Sequence, residues 1–419
     1  MLVGLVSAGI SVGRIWLANP DALTQVLWAE DGLFPLCVRK VGFVSCLFDP
    51  FVGYSIFVPR VLAGITSVFP PTSWPIVVDV LGALLAGVTG LLGFWWLRRY
   101  GLGVVSSVVV ALLPVLAPIV GMEAVNVIAS VYMPMLFLAA IFLALPLDRY
   151  PVWPVAVFFL LTALTIPSMG ILLALLLFQA LVRQIRWRDA LILFLASGIG
   201  LAVQWVVSHT ATKPRVLETS WDTLRSWIDS VPTAILTFWP GLNVGEVTVF
   251  TNYVSKPSPV TGWVVVGLLV ALGIVLLFRR DPRRRDVGLL LLAGAALGAF
   301  PSIIGYANNR YFVVPCLLWA AALLVWLDPF IRRTRWWVLA LVVVVIGVIW
   351  APAMPASQWR TTPAPSWPSE VERVVAHCKT DPGLSERPVF TPFWPPNWGD
   401  ALAEPSHPST PCVIAWKWQ

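Results

Sequence analysis

The chain has 419 residues, of which 58% are hydrophobic and only 12% charged, with a net charge of +7. That balance excludes an ordinary soluble domain and describes a polytopic membrane protein. It also excludes nucleic acid as a partner, because the basic residues form no aromatic-interleaved patch and sit between apolar runs.

Eleven apolar runs of near-spanning length follow one another. They are Leu2–Leu17, Ile76–Leu97, Val104–Val120, Val127–Leu147, Trp153–Ile166, Met169–Val182, Leu191–Val207, Gly262–Phe278, Gly288–Ile304, Phe312–Leu327 and Trp336–Pro352. The expected fold is an all-α bundle of about eleven transmembrane helices. The fifth and sixth are short and flank Pro167-Ser168, which leaves a tilted or re-entrant pair open there. The first run lacks a basic segment before it and a small-residue cleavage site after it, so it reads as a retained helix.

Basic residues set the expected orientation. With the N-terminus in the cytoplasm, Arg98-Arg99, Arg149, Arg183/Arg186/Arg188, Arg279–Arg285 and Arg332/Arg333/Arg335 all fall in short cytoplasmic loops. Every one of these loops is basic, as the positive-inside bias requires. An odd number of spans then sends the C-terminal tail to the extracytoplasmic side of the plasma membrane. The bundle occupies 1–352 and the small tail 353–419.

The other face carries the long connections. The first, from about Ala18 to Pro75, is expected to hold short interfacial helices. Its second half, Gly53–Arg60, pairs Tyr54 and its aromatic neighbours with a single guanidinium, Arg60. Another outer loop runs from Ser208 to Thr261, with Trp221, Trp227 and Trp239 suited to interfacial anchoring. The tail is expected to form one helix around Ser369–His377, with β-prone stretches at Pro388–Phe390 and Cys412–Trp416. Docking on the membrane domain would help so small a unit. Of five cysteines, Cys378 and Cys412 lie in the tail and Cys37 and Cys46 in the first loop, an even count on the oxidising face that suits disulfides. Cys37 would equally pack as a small hydrophobe. The three histidines are scattered, and no Cys/His spacing resembles a zinc site.

Acidic residues are scarce, 21 in all, yet Glu30 and Asp31 stand side by side just beyond the first helix. A carboxylate pair beside a bilayer costs desolvation and mutual repulsion. Glu123 falls where the third helix reaches the same face, with Asn126 close by. Arg310 and Tyr311 fall where the ninth helix turns into the tenth. Asp79, early in the second helix, either joins this group or hydrogen-bonds within the bundle. Taken singly, Arg310 suits interfacial snorkelling and Glu123 a helix-end role. Together they converge on one membrane surface.

This pattern resembles the GT-C superfamily of integral-membrane glycosyltransferases, particularly the polyprenyl-phosphate-sugar enzymes of high-GC bacteria. The likeness rests on Glu30-Asp31 in the first outer loop, Glu123 in the second and Arg310-Tyr311 near a late helix. The tail is small beside the soluble domains of many such enzymes. The resemblance implies a polyprenyl-phosphate sugar donor and a cell-envelope glycan or lipid acceptor. Asp31 would take the acceptor hydroxyl proton, with Glu30 tuning it, or the reverse. Arg310, Tyr311 or Arg60 would hold the departing phosphate. Glu30 and Asp31 together also suit a divalent cation, magnesium or manganese, with waters completing its shell. Two other readings stay open. One is a transporter or flippase of a lipid-linked envelope precursor. The other is a non-catalytic scaffold of an envelope assembly.

Overall fold

The computed structural model describes residues 1–27, 31–51, 53–117, 128–147, 150–182, 184–210, 221–238, 259–303, 312–350, 366–380, 388–389 and 410–411. The described residues are almost entirely helical, and every one of the eleven apolar runs holds a helix. They are α1 (Leu2–Ala18), α6 (Trp74–Tyr100), α7 (Val104–Leu116), α8 (Tyr132–Ala144), α9 (Val152–Thr165), α10 (Met169–Leu181), α11 (Trp187–Thr210), α13 (Pro259–Leu277), α14 (Pro282–Ile303), α15 (Val313–Arg333) and α16 (Trp336–Trp350). Helices are the expected form for such segments, since in lipid each backbone N–H and C=O must find its partner within the segment.

Among the described residues, five helices are long and apolar enough to cross a membrane: Pro71–Tyr100, Trp187–Thr210, Val260–Leu277, Pro282–Ile303 and Val313–Arg333. The other apolar helices are shorter. Among them α8 is the core of the bundle, with Met133 and every residue from Met135 to Ala144 buried. A helix apolar on all sides belongs in such a position. Around it α9 packs on α11, α13 on α14, α14 on α15 and α1 on α6. Small residues make the closest approaches. A Cβ on Gly4 of α1 would lie 2.9 Å from the Gly87 carbonyl oxygen of α6, and one on Gly288 would lie 2.6 Å from that of Gly273. Without a hydrophobic drive between helices in lipid, such backbone contacts supply the packing.

The bundle has two ends of different character. One gathers the arginine clusters. There Asp328, fully buried on α15, accepts the Gly103 amide at 2.9 Å and pairs with Arg283 at 2.6 Å and Arg332 at 2.8 Å. Arg332 also donates to the Gly101 carbonyl, and the Tyr100 hydroxyl donates to Asp286 at 2.6 Å. Gly101 takes φ +99° to end α6, which turns the chain sharply into α7. One carboxylate thus ties the α6–α7 turn to α14 and α15.

The first loop covers the other end. It holds α2 (Ala22–Gln25), α3 (Leu33–Val41), α4 (Phe43–Leu47) and α5 (Phe57–Ser67). Cys37 and Cys46 form a disulfide there. The shorter helices α9 and α10 flank Pro167 and Ser168. Val58, in the first loop, donates its amide to the Thr165 hydroxyl at 3.2 Å, whereas Gln179 of α10 donates to the Leu143 carbonyl near the end of α8 at 2.8 Å. The chain returns to the first-loop end in the tail helix (Trp367–Thr380). Trp367 is buried, stacks on Trp74 at 6.0 Å and donates its indole N–H to the Pro71 carbonyl at 2.8 Å. Beyond it, Pro388–Val389 pairs antiparallel with Thr410–Pro411. Phe390 and the expected stretch from Cys412 to Trp416 lie outside the described residues.

One expectation is corrected. Trp227 is not an interfacial anchor. It lies on α12 (Trp221–Phe238), buried, stacked on Phe312 at 5.7 Å and filling the space that Gly298 leaves. Trp221 is exposed as expected, and Trp239 lies outside the described residues. The middle of α12 is enclosed because the helix runs parallel to α13: Ile228 touches Gly262, and Ile235 shares a groove with Leu269.

Candidate functional site

Asp31 follows the end of α2 by a few residues and precedes α3, and its side chain is fully buried. One carboxylate oxygen accepts the Ile128 amide at 3.1 Å. Ile128 opens the 3-10 turn Ile128–Ser130 that leads into α8, so the carboxylate satisfies an amide that the turn itself leaves unbonded. At the preceding helix end, Arg14 of α1 donates from one Nη to the carbonyls of Val115 and Ala117, both at 2.9 Å. The two side chains therefore hold the chain on either side of residues 118–127.

That stretch carries Glu123 and Asn126, which lie outside the described residues, as do Glu30, Arg310 and Tyr311. Phe312, directly after Arg310-Tyr311, is buried at the start of α15 against Trp227. Asp79 is buried on α6, beside Trp74 and Val78 of the small apolar cluster that roofs this end. The structure thus brings Asp31 and Asp79 to the same end of the bundle.

Arg60 is also here, on α5 of the first loop. Its guanidinium is buried, donates to Asp49 at 3.4 Å and to the Cys46 sulfur at 2.9 Å, and lies 4.6 Å from the centre of the Phe34 ring. Burial pushes its pKa down to about 10, against the opposing pull of Asp49, so it stays protonated at neutral pH. It joins α5 to α4 and α3, and α5 in turn packs on the turn that Asp31 caps. Tyr54 is half-buried and closes a tight turn with Phe51, whose amide donates to the Tyr54 carbonyl at 2.9 Å. Gly53, at φ +82°, makes that turn possible.

Three residues missed by sequence reasoning, Gln204, Arg14 and Asp49, hold the site together. Gln204 of α11 accepts the Ser55 amide at 2.8 Å and donates to the Ser55 carbonyl at 2.9 Å, extending to the Leu164 carbonyl at 2.9 Å. Its side chain imitates a strand partner for the first loop. Arg14 and Asp49 act as described above. The available signal was a lone polar residue inside an apolar run, which marks Arg14 and Gln204 as needing partners.

Among the described residues no three His, Cys, Asp or Glu side chains gather to hold a metal. The cation expectation rests on Glu30 with Asp31, of which only Asp31 is described. Cys378 belongs to the tail helix, and its expected partner Cys412 lies outside the described residues. The chain matches no protein-family model and no curated protein.

Proposed function

We propose that the protein is a plasma-membrane glycosyltransferase that moves a sugar from a polyprenyl-phosphate donor to an envelope glycan or lipid acceptor on the extracytoplasmic face. The observation that carries the reading is the fully buried Asp31 carboxylate, fixed by the Ile128 amide beside the stretch that bears Glu123. A base must be oriented before it can act, and a hydrogen bond to one oxygen orients it.

In this reading the acceptor hydroxyl oxygen attacks the anomeric carbon while the bond from that carbon to the phosphate oxygen breaks. Asp31 or Glu30 takes the hydroxyl proton, and the polyprenyl phosphate leaves with the bonding electrons. Arg310 and Tyr311 supply cationic and hydrogen-bonding contact to that phosphate. Arg60, already engaged by Asp49, supports the loop that presents these groups. Eleven crossings, with the N-terminus cytoplasmic, would put the first loop and tail on the face where such donors are used.

The rival reading, a carrier for a lipid-linked precursor, needs a polar passage between the two ends. The central helix α8 is apolar and buried along almost its whole length, which favours catalysis at one end over transport through the middle. The deciding assay offers purified protein in nanodiscs a panel of polyprenyl-phosphate sugars with wall-glycan acceptors. Sugar transfer with release of polyprenyl phosphate supports the reading. Movement of an intact lipid-linked sugar across the bilayer, with no transfer, would replace it.

A further inference from the structure

We infer that the arginine-rich end holds a binding site for an anionic phospholipid, with a groove for one hydrocarbon chain and guanidinium groups for the phosphate. The site lies at the opposite end from Asp31 and does not depend on the glycosyltransferase reading.

The groove is a cavity of about 290 Å³ between α13, α14 and α15. Its walls at this end are Leu272 and Leu276, Val287 and Leu291, and Leu323 and Trp326. Ile235 of α12 closes the far end of the groove, while the outward face of α13 leaves Leu268, Leu272, Val275 and Phe278 exposed among the described residues, a surface suited to lipid. An apolar space bounded by hydrocarbon takes a hydrocarbon chain.

Helical spacing then supplies the head group's partners. Residues three, four or seven apart share a helix face. Arg279 follows Leu276 by three positions, Arg284 precedes Val287 by three, and Arg333 follows Trp326 by seven. Each groove wall therefore ends in an arginine at the boundary, and Arg279 stays in register because its amide bonds to the Leu276 carbonyl at 3.1 Å. Arg284 and Arg333 are exposed, as is Arg279. The turns carrying them hold eight arginines and three aspartates across 279–286 and 328–335. All three aspartates are already engaged, Asp328 by Arg283 and Arg332, Asp286 by Tyr100 and Asp281 by Arg284 in an exposed pair at 3.4 Å, so the cluster keeps a clear excess of positive charge. Arg285 keeps a buried Nε without a hydrogen-bond partner.

The Asp328 network makes the site. It fixes α14 against α15, so that arginines far apart in sequence form one cluster. An anionic phospholipid, with its phosphodiester on the glycerol that carries the acyl chains, matches both halves, charge above and hydrocarbon below. A zwitterionic lipid would fill the groove but gain less from the cluster, and inorganic phosphate would meet the cluster without the groove.

The test uses the full chain in nanodiscs of phosphatidylglycerol and phosphatidylcholine with identical acyl chains, released gently into native mass spectrometry. The wild-type protein should retain phosphatidylglycerol in preference to phosphatidylcholine, and added inorganic phosphate should not displace it. Replacing Arg279, Arg284 and Arg333 by Gln avoids the Asp328 network and should lower the preference by about fivefold for each guanidinium removed. Ala320→Phe, which fills the groove, should reduce retention of both lipids. Equal retention of the two lipids by the wild-type protein would overturn the proposal, and this comparison stands whether or not the variants fold. Displacement by inorganic phosphate, or an unchanged preference in the triple variant, would overturn it as well.

Discussion

The Asp31 carboxylate accepts the Ile128 amide at 3.1 Å across 97 positions of sequence. Arg14 grips the Val115 and Ala117 carbonyls at the other side of the same passage. A carboxylate and a guanidinium, from the first loop and from α1, thus set where the segment with Glu123 begins and ends. Asp31 has a structural duty in addition to any chemical one, and substitutions can separate the two.

Asp31→Asn keeps an oxygen that accepts the Ile128 amide but cannot take a proton. Under the proposed function it should leave thermal stability nearly unchanged while cutting turnover by about 10²–10⁴-fold. Asp31→Ala removes the acceptor as well and should cost a further ~1–2 kcal/mol of stability, because a buried amide loses its partner. Melting curves in detergent, read beside the transfer assay, distinguish the outcomes. Full activity in Asp31→Asn together with Glu30→Gln would end the reading built on this pair and favour the scaffold.

The apolar runs were legible because lipid demands them, and every one of them holds a helix. Their ends were less so. The run expected to begin at Gly288 belongs to a helix starting at Pro282, since Arg283 and Asp286 find partners on α15 and α6 that no local pattern announces. The same limit hid Gln204, whose bond to Ser55 spans 149 positions, and misplaced Trp227, whose setting depends on a gap at Gly298. For the site, sequence pointed to Asp31 and Asp79 at one end. It could not foresee that Arg60 would be engaged by Asp49, because a lone arginine looks alike whether it faces a phosphate or a carboxylate.

Gln204→Leu should be among the costly single changes at the first-loop end. It strands the amide and carbonyl of Ser55 in a buried setting, and each unsatisfied group costs on the order of 1–3 kcal/mol. The expected loss is ~2–4 kcal/mol, with faster proteolysis of the first loop. A melting temperature equal to that of the wild type would show that water or another side chain replaces the clamp.

At the arginine-rich end, Asp328→Ala leaves Arg283, Arg332 and the Gly103 amide without their common acceptor. Breaking a wholly buried ion pair costs about 3–5 kcal/mol, and the half-exposed arginines lower that to roughly 2–3 kcal/mol. Asp328→Asn should fall between Ala and wild type, since it still accepts from Gly103. Chemical denaturation in detergent gives the order.

Cys37 and Cys46 should resist alkylation in native membranes until reduced. Closing so short a loop should stabilise the first-loop end by about 2–3 kcal/mol. Mass spectrometry of alkylated peptides checks this directly, and free thiols at both positions would contradict it. The same digest reports on Cys378 and Cys412, for which a second disulfide is proposed.

Orientation is tested through the contact between Trp74 and Trp367. Their stacking requires the tail to lie at the same end of the bundle as the first loop, whatever the number of crossings between them. A reporter fused after Gln419 and another in the first loop should therefore give the same side, and one inserted at Arg283 the opposite side. The positive-inside bias predicts a cytoplasmic Arg283 side and an extracytoplasmic tail. Trp367→Ala should leave that topology intact while releasing the tail helix, since it removes the stack and the hydrogen bond to Pro71 together, a loss of about 3 kcal/mol or more. Protease added to the outside of intact cells should then cut the tail much faster in the variant than in the wild type. Protection of the tail in intact cells and cutting only after lysis would invert the bundle. Asp31 would then stand on the face away from extracytoplasmic acceptors, and the proposed function would fall with it.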